Sequence, residues 1–262
     1  MEAAPALVCL MLFRRQDSGV LAISQLTHAW ISGQIMRAWS ESLAEPLLLA
    51  AEQHDIGWID WETAPTFNAA TGRPHLFREV DASSHAPMWT RGVERAFAAW
   101  GAHVALLISR HGDVIYRRYA DRHRMAESDA KAAQNYLDVQ APIESAWSRA
   151  LGLEARALDK ETALVAFADA LSLALCGDLK TPLDLEAPDR NGEVVVMRLA
   201  ERPGRPYDFV LSPWPFRMNA LAVEGEARSL PQSGRFTDEA AMRAWLALPE
   251  RVVFRASLAP LP

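Results

Sequence analysis

Cysteine is scarce in this chain: Cys9 and Cys176 stand far apart among 262 residues, and no CxxC pair occurs. That excludes a disulfide framework and a thiolate metal site, and it suits a reducing cytosol. Long apolar runs are also missing. The apolar stretch 6–13 follows Glu2 and precedes Arg14 and Arg15. A secretory signal carries its positive charge before the apolar run, and a membrane helix needs roughly 20 apolar residues. Excess positive charge is absent too, since a formal charge of -6 argues against a broad nucleic-acid-binding surface. No internal repeat or low-complexity tract occurs. What remains is ordinary globular composition, 50% apolar and 23% charged, in a length that suits one large domain or a domain with an appendage. The expectation is a soluble cytoplasmic protein with no membrane or nucleic-acid partner, which leaves a homodimer open.

The pattern along the chain is helical first and β-rich later. Apolar runs 7–13 and 19–23, separated by polar residues and Gly19, predict a hairpin. Leu26, Trp30, Ile31, Ile35, Met36 and Trp39 recur at spacings of three and four, which predicts a helix over 24–40. Ser42 and Glu45, with Pro46 next, form a capping-box start for a second helix that carries His54 and Asp55 near its end, before Gly57. Residues 60–88, with three prolines, predict a long ordered loop. One helix is expected over 90–110, a charged solvated one over 117–133, and another over 136–151 broken near Pro142. Asp159 is expected to cap an apolar helix reaching 175. Beyond Cys176, strands are expected over 193–199, 209–212, 221–223 and 252–256, with one helix over 238–248. These features place a boundary near residue 180.

Asp169 is the least comfortable residue of that pattern. It sits among Phe167, Ala168, Ala170 and Leu171 in a helix that looks apolar on nearly all sides. A buried carboxylate there must find a cation, a metal or hydrogen-bond donors. His54 and Asp55 end an apolar stretch, and His28 lies in the preceding helix, which short linkage packs against theirs. Imidazole nitrogen and carboxylate oxygen suit iron, manganese, zinc or nickel. Read alone, His54 and Asp55 are equally a helix end and its cap. His103 and His111 lie eight residues apart, roughly 80° around a continuous helix, as a second metal position requires. Otherwise His103 is a packed or surface residue and His111 part of a turn. His75, His85 and His123 have no such pattern and read as loop or solvated residues. Trp58 and Trp61 read as packing, and Asp60 and Glu62 either as holders of a ligand histidine or as solvated acids. Arg110, with Arg117, Arg118, Arg122 and Arg124, is a candidate phosphate receiver, although a solvated helix face is the default.

The helical order His28, His54 with Asp55, then Asp169 resembles the HD superfamily of metal-dependent phosphohydrolases. The wording Gln53-His54-Asp55-Ile56-Gly57-Trp58 with Trp61-Glu62, then Gly72-Arg73-Pro74, Phe77, Ser109-Arg110-His111-Gly112 and Ser212-Pro213-Trp214-Pro215-Phe216, resembles an uncharacterised bacterial family, the domain-of-unknown-function 3891 family. That likeness runs along nearly the whole chain. The HD resemblance implies a mainly α fold with an HD-like helical core, here over 1–180 together with the N-terminal hairpin that the pattern predicts; the smaller β-rich part over 181–262 departs from that superfamily. It implies one or two divalent metals held by His28, His54, Asp55, His103, His111 and Asp169. Hydrolysis of a small phosphorylated molecule would then use Asp55, His103, His111 and Asp60, with Arg110 on the phosphate. Two other readings remain, a non-catalytic metal or ligand binder and a di-iron oxygenase.

Overall fold

A computed structural model describes residues 12–17, 19–76, 79–119 and 125–261. The chain starts with an antiparallel hairpin, β1 (Leu12–Gln16) and β2 (Gly19–Ile23). The run before Leu12 lies outside the described residues. Seven helices follow, with one two-stranded ribbon between the third and fourth: α1 (Gln25–Arg37), α2 (Glu45–Gln53), α3 (Ile59–Thr63), β3 (Phe67–Asn68), β4 (Arg73–Pro74), α4 (Ala82–Trp100), α5 (Ala102–Val114), α6 (Glu127–Leu151) and α7 (Ala155–Cys176). The chain then returns to strands β5 (Leu183–Pro188), β6 (Val194–Glu201), β7 (Asp208–Ser212) and β8 (Leu221–Ser229). Helix α8 (Glu239–Leu246) and strand β9 (Val252–Pro260) complete it.

The expected mainly α, HD-like fold does not hold. About 51% of the chain is helical and 22% strand, and the strands form one curled seven-stranded sheet. Its order is β1-β2-β8-β9-β7-β6-β5. The physical reason is a long-range pairing: Leu21 and Ala22 of β2 meet Ser229 and Arg228 of β8. The N-terminal hairpin is therefore part of the same sheet as the late strands. All neighbours are antiparallel except β7 and β9.

Alternation decides which face of the sheet is covered. Leu221, Val223 and Ala227 of β8 and Phe254, Ala256 and Leu258 of β9 point inward, while Glu224, Glu226 and Arg255 point out. Helix α1 lies directly on that inner face. A Cβ on Gly225 would come within 2.6 Å of the Thr27 methyl, so β8 needs glycine where the helix crosses. Ser24 starts α1 by accepting the Thr27 N–H, and Ile31, Ile35 and Met36 are fully enclosed between sheet and helices. Each such side chain contributes roughly 1.5–3 kcal/mol of burial.

Several local expectations change. The predicted 90–110 helix is two helices, because Gly101 adopts φ 87° and turns the chain between α4 and α5. Helix α4 starts at Ala82 with Asp81 as its cap, inside the segment expected as loop. Helix α6 runs through Pro142 without ending. The start of α2 has no side-chain cap, and Asp159 lies inside α7 rather than before it. No helix among the described residues is long and apolar enough to cross a membrane.

Candidate metal centre

Four elements bring five of the six expected ligands together. His28 comes from the first turn of α1, His54 and Asp55 from the end of α2, His111 from the last turn of α5, and Asp169 from the middle of α7. His54 occupies the cap position of α2, where its Nδ1 lies 2.8 Å from the carbonyl of Ala51. That carbonyl is one of those a helix end leaves without an internal partner. A carbonyl only accepts, so Nδ1 carries the proton and Nε2 keeps its lone pair. His54 Nε2 then lies 3.4 Å from Asp169 Oδ1 and 3.8 Å from Asp55 Oδ2. From the opposite side, His111 Nε2 lies 3.4 Å from Asp169 Oδ2. The rings of His28 and His111 each sit 5.1 Å from that of His54.

These atoms fall into two groups that share His54: His28, His54 and Asp55, and His54, His111 and Asp169. Within each group one ligand atom per residue lies within 4.8 Å of the others. Metal–ligand bonds of about 2.0–2.2 Å place neighbouring ligands roughly 3.0–3.5 Å apart, close to the separations around Asp169. His54 Nε2 and both ring nitrogens of His111 are buried without a hydrogen-bond partner. Buried nitrogens of that kind are costly unless something fills the space between them. Three neutral imidazoles and two carboxylates also carry the charge that a divalent cation cancels. The residues present fit a metal.

Without a cation, protons take its place. Burial alone would lower the His54 pKa, but the charges of Asp55 and Asp169 beside it outweigh that and raise it to about 9. Burial would likewise raise Asp169, yet His111 and His54 hold it well below the usual carboxylate range. His28 Nε2 and Asp55 Oδ2 meet at 2.6 Å, a hydrogen-bond distance. The side chains of His28, His54, His111 and Asp55 are only 1%, 1%, 2% and 6% exposed, whereas that of Asp169 is 18% exposed. Asp169 is thus the most exposed of the five.

The other expected residues lie elsewhere. His103 is on α5 with His111, but eight residues correspond to about 12 Å along the axis, and His103 Nε2 instead meets Glu161 at 2.8 Å. Asp60 is held by Arg95 at 2.8 Å and Arg91 at 3.3 Å. Arg110 bonds Asp159 at 2.6 Å and Thr162 at 3.0 Å. Arg117 and Arg118 pair with Asp113 and Glu186, while Arg122, His123 and Arg124 lie outside the described residues. Glu62 accepts the N–H of Gln25 at the start of α1, so it supports the helix that carries His28. Burial pushes its carboxyl up to about 8.

Two serines also belong to the centre. Ser32 and Ser172 are fully buried beside His28, and His28 Nδ1 lies 3.0 Å from Ser172 Oγ. Their signal in the sequence is faint: Ser32 is four residues after His28 and Ser172 three after Asp169, each on the same helical face.

The DUF3891 family, described as proteins of unknown function, matches residues 11–232. The chain belongs to that family. No curated protein and no solved structure matches it. Of the wording that resembles the family, His54, Asp55 and His111 stand in the candidate centre. Ser109 lies behind His111, where its hydroxyl donates to Glu144 at 2.6 Å. Trp58 is buried as packing, with its ring 5.7 Å from that of Trp61. The DUF3891 match thus covers every residue of the centre.

Proposed function

We propose that this DUF3891 protein binds a divalent transition metal and uses it to hydrolyse a small phosphate ester with water. The observation that carries this reading is the pair of buried, unpartnered nitrogens, His54 Nε2 and His111 Nε2, each 3.4 Å from the Asp169 carboxylate. The nitrogen and oxygen set suits iron, manganese, zinc or nickel. When bound, such an ion lowers the pKa of a coordinated water and polarises a phosphoryl oxygen. The chain's own residues bind and exclude. Three imidazoles and Asp55 close the inner side against bulk water, and Asp169, the most exposed of the five, is the one left to meet water and substrate. The order His28, His54 with Asp55, then Asp169 supports phosphate chemistry, because HD-type phosphohydrolases use that order, although the sheet here is not theirs. The two ligand groups share His54, which favours one ion over two.

A second reading, a metal protein without turnover, is favoured by the near-complete burial of four of the five ligands. Metal analysis of protein purified without chelator separates the outcomes. About one equivalent per chain is expected, lost in His54→Ala, together with metal-dependent cleavage of a generic phosphomonoester or phosphodiester. A substoichiometric trace unaffected by His54→Ala sinks the metal reading. One full equivalent without cleavage leaves the non-catalytic one.

A further inference from the structure

Three buried hydroxyl and imidazole groups stand behind the centre in one connected set. His28 Nδ1 lies 3.0 Å from Ser172 Oγ. Ser172 Oγ lies 2.9 Å from the carbonyl oxygen of Asp169, its neighbour one turn back on α7. Ser32 Oγ lies 2.9 Å from Ser172 Oγ, and 3.2 Å from both the His28 and the Ala168 carbonyls. Both serines are 0% exposed, so no bulk water competes for these bonds.

Proton counting narrows the arrangement. A serine hydroxyl has one hydrogen to give and two lone pairs to receive. The Asp169 carbonyl can only accept, so a bond there uses the hydrogen of Ser172. Ser172 Oγ then has its two lone pairs left, one for the Ser32 hydroxyl and one for an N–H of His28. In that state His28 donates from Nδ1, and Nε2 holds a lone pair directed at the Asp55 side of the centre. The opposite state turns the Ser172 hydroxyl onto Nδ1 and leaves the ring proton on Nε2, bonded to Asp55 at 2.6 Å. Only the first state offers a nitrogen to a metal.

The geometry points to Ser172, backed by Ser32, as the positioning residue that holds His28 in its Nδ1–H form and so makes it a ligand. This rests on the metal reading of the same centre. It explains why two hydroxyls are enclosed between apolar faces of α1 and α7, where alanine would fit the helices better. It also links two ligands on different helices, because Ser172 touches the ring of His28 and the backbone of Asp169 together.

The test uses the whole chain loaded with zinc, which is diamagnetic. Long-range proton–nitrogen spectra are expected to show His28 protonated on Nδ1. Ser172→Ala is expected to weaken zinc binding about 10–100-fold, the usual effect of losing a group that orients a ligand. Part of its His28 population should move to the Nε2–H form. Ser32→Ala leaves the His28 bond in place and is expected to cost less than Ser172→Ala, with the Nδ1–H form retained. A role limited to packing would give the two variants like losses and leave the tautomer alone. A His28 proton on Nε2 in the zinc-loaded wild type overturns the assignment, as does unchanged affinity in Ser172→Ala. Failure of the wild type to take up zinc at all overturns the metal reading itself, and this inference with it.

Discussion

Eight residues separate His103 from His111, and the two histidines have opposite fates. Both lie near one face of α5, but the rise of the helix carries His103 away from the centre and toward Glu161. That partly exposed pair contributes little, on the order of 0–1 kcal/mol. His103→Ala is therefore expected to leave metal content unchanged and shift stability by less than about 1 kcal/mol. His111→Ala is expected to lower metal content sharply, and elemental analysis of the two variants side by side checks both statements. His85 adds a pH effect of its own. Its ring packs among those of Trp58, Trp89 and Tyr116, with Nδ1 at 2.7 Å from the Tyr116 hydroxyl. Burial lowers its pKa from 6.5 to about 4. The unfolded chain takes up this proton before the folded one does, so stability is lost as pH falls from 6.5 toward 4. The loss is up to roughly 3 kcal/mol. His85→Gln keeps a partner for Tyr116 and removes the titration. Its urea midpoint should fall less between pH 6.5 and 4 than that of the wild type; an equal fall would refute the assignment.

Elements show where local signals win and where packing overrides them. Helix α1 was legible because apolar residues recur at three and four, and α7 because its apolar run is long and uninterrupted. The break at Gly101 was hidden, because the apolar periodicity continues on both sides of a single residue with positive φ. Strand β5 is hidden in the sequence because Pro182 precedes it and Pro188 ends it, and proline is confined to edges; β5 is an edge strand of the sheet. Pro142 was expected to break its helix, yet α6 continues, with Tyr136, Leu137, Gln140 and Glu144 buried on both sides of it. Tertiary packing offsets a missing hydrogen bond there. Because Pro142 itself is exposed, Pro142→Ala is expected to stabilise the protein by about 1–3 kcal/mol. A thermal melt that shows no rise in midpoint would argue that the helix is already adapted to proline.

For the whole molecule, the sequence revealed strands but not which strands meet. The β2–β8 pairing spans about 200 residues, and no local pattern encodes it. The centre was more legible, because Asp169 is a carboxylate inside an apolar helix and His28, His54 and Asp55 precede it in an order that suits a metal. His111 needed three dimensions to be told from His103, and Ser172 needed its neighbours. The main core mixes sheet residues such as Leu199, Phe209, Val223 and Phe254 with helix residues such as Ile35, Leu107, Phe167 and Leu171. A chain cut after residue 180 should therefore lose its fold, because α1 and α7 would face water where the sheet stood. Circular dichroism and sedimentation of residues 1–180 check this, and a compact, monomeric helical product would show that the helices stand alone.

All five candidate ligands precede residue 170, while the last strand of the sheet ends at Pro260. At roughly 5–20 residues per second, a ribosome needs on the order of 5–20 s to make the intervening segment. During that time the nascent helices carry all five candidate ligands with no completed sheet to hold them in register. Any ion that reaches them early meets separate histidines and carboxylates rather than a shaped site. If the centre takes a metal as proposed, its selection is therefore expected only after β9 has been made and closes between β8 and β7.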